Sequence, residues 1–197
     1  MSIETKTITQ FVGQFYQSDL SESVIYKTLR DSLSEGQLFS KLRIVQIMQE
    51  LNIRSKRCIF LAHWHGFLPL LLKNYNLVDA GVGVELDERW VNFSNRMNYF
   101  WDWKGKLGDV LNFHDYNDYD LIINTSCEHM DSSWLKNVPH KSTLILQSTD
   151  YRHEEHVNRV DSIDEFISQL PSHLQVIQSD VLQCPIYKRF TLVVGGE

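Results

Sequence analysis

The sequence predicts an α/β chain: a mostly parallel sheet of seven strands between two layers of helices, closed at its C-terminal end by an antiparallel hairpin. Three observations carry that prediction. From residue 57 onward, short and continuously apolar runs recur, the first being Cys58-Ile59-Phe60-Leu61-Ala62, and such runs suit strands covered on both faces. Segments with the three-to-four spacing of a helical face separate them, and alternation of the two kinds implies a parallel sheet. The last two apolar stretches, Leu174 to Leu182 and Ile186 to Val194, are separated only by Gln183-Cys184-Pro185. That connection is too short for a helical crossover, so the two strands must be antiparallel neighbours.

Before residue 57 the pattern is helical. Ile8, Phe11, Val12, Phe15 and Tyr16 share one face, a second helix starts after Ser21 or Ser23, and a third carries Leu38, Leu42, Val45, Ile47, Met48 and Leu51. A helix over Phe67 to Tyr75 follows the first strand, with Pro69 tolerated in its first turn. Ala80 to Glu85 reads as the second strand, Glu88 to Trp101 as a helix, and Lys106 to Phe113 as a short third strand. Tyr119 to Asn124 is the fourth strand, Ser132 to Leu135 a short helix, and Ser142 to Gln147 the fifth strand. Asp161 opens a helix with acids in its first turn, where the helix dipole favours them, and that helix stops before Pro171.

At 197 residues the chain suffices for one domain, 1–197, with a helical cap over 1–52 and a sheet-and-helix core over 57–195. The net charge of −6 weighs against a broad nucleic-acid surface, which needs an excess of Lys and Arg on one face. The compact basic cluster Arg54-Ser55-Lys56-Arg57 reads as a solvated lead-in to a strand. No apolar run reaches the roughly 18 residues of a membrane span, and the first residues lack the pattern of a secretory signal. Three widely spaced cysteines, Cys58, Cys127 and Cys184, read as free thiols, hence a reducing cytoplasm.

In such sheets ligands bind beyond the carboxyl ends of the strands, so the residues after each strand carry the functional reading. They are Ala62-His63-Trp64-His65-Gly66 after the first, Glu85-Leu86-Asp87 after the second, Gly108-Asp109-Val110 after the third, and Asn124-Thr125-Ser126-Cys127-Glu128-His129 after the fourth. With the terminal hairpin, this order resembles the class I S-adenosylmethionine-dependent methyltransferases, which have a Rossmann-like three-layer fold. The resemblance covers about residues 40 to 195. It implies S-adenosylmethionine as cofactor and methyl transfer to a small molecule, by a monomer or homodimer without nucleic-acid or membrane partners.

Residue by residue, the resemblance implies cofactor contacts from Ala62, His63, Trp64 and Gly66, although of the family's G-x-G-x-G turn only Gly66 stands. It implies that Glu85, with Leu86, accepts from the ribose hydroxyls, and that Asp109, with Val110, holds the adenine. Asp87 is the alternative to Glu85 and otherwise a helix cap; Asp109 also reads as a plain cap. Asn124 and Ser126 would reach the cofactor edge. His129 and Glu128 would be the catalytic pair, or a structural tie for their loop. The polar loop after the fifth strand offers Tyr151 and His153 as substrate contacts. Its His153-x-x-His156 spacing completes no zinc pattern, so no metal is expected. Two alternatives stay open: another use of the same cofactor, such as aminocarboxypropyl transfer or cofactor cleavage, and a non-catalytic binding protein. A nicotinamide dehydrogenase is disfavoured, because no G-x-G-x-x-G follows the first strand.

Overall fold

The structure, a computed structural model, describes residues 1–196. Three helices come first: α1 (Ile3–Tyr16), α2 (Glu22–Ser32) and α3 (Glu35–Glu50). The Ser2 hydroxyl caps α1 by accepting from the Thr5 amide. The core then runs β1 (Ser55–Leu61), α4 (Phe67–Asn74), β2 (Val78–Glu85), α5 (Glu88–Met97), β3 (Asp102–Leu107), β4 (Leu121–Asn124), β5 (Thr143–Thr149), α6 (Ile163–Ser168), β6 (Leu174–Gln183) and β7 (Lys188–Gly196). Short 3-10 helices occupy Val110–Asn112, Cys127–His129 and Ser132–Asn137.

The seven strands form one sheet in the order β3-β2-β1-β4-β5-β7-β6. The pairs β1–β2, β1–β4, β2–β3 and β4–β5 are parallel, while β7 is antiparallel to both β5 and β6. The last strand thus lies inside the sheet, between β5 and β6. Strand order reverses between β1 and β4, which is where such a sheet opens a crevice at its carboxyl edge.

Two apolar layers explain why the central strands read as unbroken apolar runs. Successive side chains of a strand point to opposite faces. Cys58 and Phe60 of β1 pack with Ile44, Val45 and Met48 of α3 on one face. Ile59 and Leu61 pack with Trp134, Leu144 and Phe166 on the other. A third cluster, of Phe11, Phe15, Phe67, Leu70 and Phe93, fastens α1 to α4 and α5. That cluster spreads the N-terminal helices over the carboxyl edge of β1 and β2. Among the described residues no helix is long and apolar enough to cross a membrane.

The structure corrects two boundaries. The helix expected over Glu88 to Trp101 ends at Met97, where Asn98 stops it: the Asn98 amide donates to the Ser94 carbonyl and its oxygen accepts from the Trp101 indole. The third strand then runs Asp102–Leu107 instead of Lys106 to Phe113, and Val110–Asn112 is a 3-10 turn. As an edge strand it shows Asp102, Lys104 and Lys106 to solvent and only Trp103 and Gly105 inward, so its apolar signal is too thin to see. The helix placed at Asp161 is capped by Ser162, whose hydroxyl accepts from the Glu165 amide, while the Glu165 carboxylate accepts from the amide of Asp161, one residue before the cap.

Candidate functional site

A cleft of about 1030 Å³ lies at the carboxyl edge of the sheet, roofed by α2 and α3. It has two ends with different chemistry. One is built by the loops after β1, β2 and β3; the other by the loop after β4, the start of β7, and the helical roof.

The first end is shaped by backbone. Ala62 (φ 48°), Trp64 (φ 53°) and Gly66 (φ 79°) are all left-handed, at the three alternate positions where the family's turn carries glycines. The backbone path of a glycine-rich turn is therefore present without two of its glycines. A left-handed non-glycine residue costs roughly 1–2 kcal/mol, so something must hold it. Glu85 does: one carboxylate oxygen accepts from the Trp64 amide at 2.8 Å, the other from the Leu86 and Asp87 amides at 2.9 and 3.1 Å. Glu85 thus clasps the turn after β1 to the turn after β2. A carboxylate offers about four lone-pair directions, so backbone takes most of them and leaves room for a single further donor.

His63 lies across β2 in the space a side chain at position 83 would need; a Cβ on Gly83 would sit 2.2 Å from the ring. Both His63 nitrogens are buried without a hydrogen-bond partner, and burial pushes its pKa down to about 4. It is a neutral ring edge-on to Trp103. His65 is structural: its Nε2 meets the Ser32 hydroxyl at 2.6 Å, and its Nδ1 accepts from the Phe67 amide. This ties α2 to the turn, and burial lowers the His65 pKa well below its ordinary value. Asp109 lines the same cleft as Glu85 while capping its own turn, with one oxygen taking the Leu111 amide and the other the Asn112 side chain.

The second end is shaped by charge. Glu128 and Arg189 form a buried ion pair at 2.9 Å, with side chains 3% and 6% exposed. The same guanidinium nitrogen also reaches the Thr125 carbonyl, whereas Arg189 Nε and Glu128 Oε2 have no partner. Lys41 of α3 is buried beside them and donates to the side chain and carbonyl of Gln37. Burial, reinforced by the Arg189 charge, pulls its pKa down to about 7. His129 lies at the mouth with a pKa lowered chiefly by partial burial, its ring edge-on to His156 with centroids 4.6 Å apart.

Of the residues expected from sequence, Ala62, His63, Trp64, Glu85, Leu86, Asp109, Val110, Ser126, Glu128 and His129 line the cleft. Gly66 shapes it from behind as the cap of α4. Asn124 does not reach it: fully buried, it accepts from the Ser126 amide and donates to the Met130 sulfur, and Thr125 lines the cleft in its place. Tyr151 and His153 lie on the outer side of their loop, and Glu155 is the residue that loop sends to the cleft. Sequence reasoning missed Lys41 and Arg189. Both carried a signal, a cation inside an apolar pattern: Lys41 between Leu38 and Val45 on a helical face, Arg189 at the head of the apolar strand Phe190 to Val194.

No protein-family model and no curated relative match the sequence. Solved structures do match in shape. NodS, an N-methyltransferase from Bradyrhizobium japonicum in complex with S-adenosyl-L-homocysteine, aligns at TM-score 0.70 and 12% identity over 85% of this chain and 91% of its own. The fold is that of the S-adenosylmethionine-dependent methyltransferases. An S-adenosylmethionine-dependent methyltransferase from Clostridium acetobutylicum aligns at TM-score 0.63 and 13% identity over 87% and 98% of the two chains. A putative RNA methyltransferase from Pyrococcus horikoshii aligns at 0.60 and 14% over 83% and 84%.

Proposed function

We propose that the protein is an S-adenosylmethionine-dependent methyltransferase acting on a small molecule in the cytoplasm, with residues 1–52 forming a cap over the core. One observation carries the reading: three alternate left-handed residues after β1, clasped by Glu85, on one cleft with Asp109. The likeness to NodS with its bound S-adenosyl-L-homocysteine supports it. The cleft, about 1030 Å³, is at the upper end of small-ligand pockets, large enough for a cofactor and an acceptor together.

These residues fit the cofactor. The turn Ala62 to Gly66 brings bare backbone to the cleft for the methionine portion, Glu85 has acceptor capacity left for one ribose hydroxyl, and Asp109 with Val110 and Leu111 offers an acceptor and apolar cover for the adenine. When bound, the cofactor supplies an activated methyl group. The chain's own work is alignment, exclusion of water and handling of the acceptor's proton. The helical roof of α2 and α3 excludes water. Arg189 fixes the Glu128 carboxylate, and the neutral imidazole of His129 at the mouth is suited to take a proton.

Calorimetry tests the reading. S-adenosylmethionine and S-adenosylhomocysteine should bind at micromolar level and a nicotinamide dinucleotide should not. Absence of binding by both sulfur ligands would sink it. With an acceptor supplied, S-adenosylhomocysteine as by-product means methyl transfer, and methylthioadenosine means aminocarboxypropyl transfer.

A further inference from the structure

The loops after β4 and β5 bring Glu128 and His129 together with a third group, His156, that the proposed proton transfer does not use. Glu128, His129 and His156 each offer a ligand atom, and these atoms lie within 4.8 Å of one another. From this arrangement we infer a binding site for a divalent transition cation, held by two imidazoles and one carboxylate.

Three features of the site point to a cation. First, Glu128 Oε2 is buried with no hydrogen-bond partner, while its other oxygen is held by Arg189 at 2.9 Å. A buried unsatisfied carboxylate oxygen is costly unless something binds it. Second, His156 Nδ1 lies 2.8 Å from the Tyr151 carbonyl. An oxygen there can only accept, so Nδ1 carries the proton and Nε2 is left with its lone pair free. This second contact of a ligating histidine is the usual means of fixing its tautomer and direction. Third, the donor set of two imidazoles and a carboxylate is one that zinc takes in open sites, with a fourth position left for a small molecule.

Ligands at 2.0–2.1 Å from a tetrahedral cation lie ~3.3 Å from one another. Closing the group onto a cation therefore takes a shift of roughly 1 Å, which the His129 and His156 rings, both reaching solvent on one side, can make while buried Glu128 stays fixed. Arg189 places a positive charge on the far side of the carboxylate, and Glu155, on the same stretch of the cleft wall, adds a negative one. Glu128 and His129 both line the cleft, so the open position faces it. On the methyltransferase reading, that position is where a heteroatom of the acceptor coordinates, and His129 then serves as a ligand instead of a base.

Zinc titration of the chelator-treated full chain, without any S-adenosyl ligand, tests the site. One equivalent should bind at micromolar affinity or tighter, and cobalt(II) in its place should give the visible bands of a low-coordinate site. His129→Ala and His156→Ala alter exposed or part-exposed rings, and each should weaken binding at least tenfold with an unchanged unfolding midpoint. His153→Ala should leave binding unaltered. The proposal is overturned if the wild-type chain takes up no stoichiometric zinc. It is equally overturned if His153→Ala abolishes binding while His129→Ala does not, since the cation would then lie on the outer loop. Because no sulfur ligand is present, failure here leaves the cofactor reading standing, and failure of that reading leaves zinc binding unaltered.

Discussion

The two ends of the cleft are made of different materials. At the end formed by the loops after β1, β2 and β3, Glu85 and Asp109 have their oxygens largely filled by backbone amides, and His63 is neutral. At the other end, Lys41, Glu128 and Arg189 share a buried volume in which Glu128 Oε2 and Arg189 Nε have no partner. The first end is a preformed mould, fixed by chain direction and by the Glu85 clasp. The second holds buried charges with hydrogen-bonding capacity left over, and so is where a particular ligand is chosen.

Changes at the charged end should do the most damage. Arg189→Met leaves the Glu128 carboxylate buried and unpaired, and removing one partner of a buried pair costs about 3–5 kcal/mol. Urea denaturation should show that loss, and the double variant Glu128→Gln, Arg189→Met should recover much of it. Full stability of Arg189→Met alone would mean that the second end is not a closed electrostatic unit.

Acid should damage the mould next. His63 has a folded-state pKa of about 4 against an unfolded value near 6.5. Between those values the unfolded chain binds the extra proton. The stability is therefore full above about pH 6.5 and falls away as pH drops towards 4, by about 3 kcal/mol for this group. His65, shifted the same way by burial, adds to the fall. Unfolding free energies measured from pH 7 to pH 4.5 should show the slope, and His63→Leu should flatten it.

Glu85→Gln keeps the length of the side chain but turns one accepting oxygen into an NH2 that faces backbone amide donors, and a hydrogen bond to a charged group contributes about 1.5–3 kcal/mol. Affinity for S-adenosylhomocysteine should fall about tenfold or more by calorimetry. Ala62→Gly should have the smallest effect and the opposite sign. It relieves a left-handed alanine, and after the entropy gained by the unfolded chain should raise stability by about 0.5–1 kcal/mol. A lowered melting temperature for Ala62→Gly would show that the turn is not strained.

This contrast also decides what could be read from the sequence. The mould was legible because strand order and loop position fix it: once β1, β2 and β3 are placed, the residues after them line the cleft whatever they are. Even the missing glycines misled only about composition, since Ala62 and Trp64 take the left-handed path anyway. The charged end was legible only at Glu128-His129, which follow a strand in sequence. Lys41 and Arg189 come from opposite ends of the chain, and no local pattern brings them together. Asn124 and Tyr151 failed for a third reason. Each lies next to the cleft in sequence, but local hydrogen bonds turn Asn124 inward, and the loop after β5 turns Tyr151 outward.

The position of β7 also gives the chain an order in time. A strand that follows β6 in sequence but is seated between β5 and β6 cannot be added to a finished edge; the sheet must wait for it. A growing chain can lay down the β1-to-β5 parallel array, with the mould along its rim, while β5 still has an open edge. Arg189 enters only with that final strand, and with it the partner that fixes Glu128. Without that strand the cleft would be half a site: the backbone mould, and opposite it an acid without a counter-charge. Docking of β7, which brings Arg189 to Glu128, is the step that completes the charged end of the cleft.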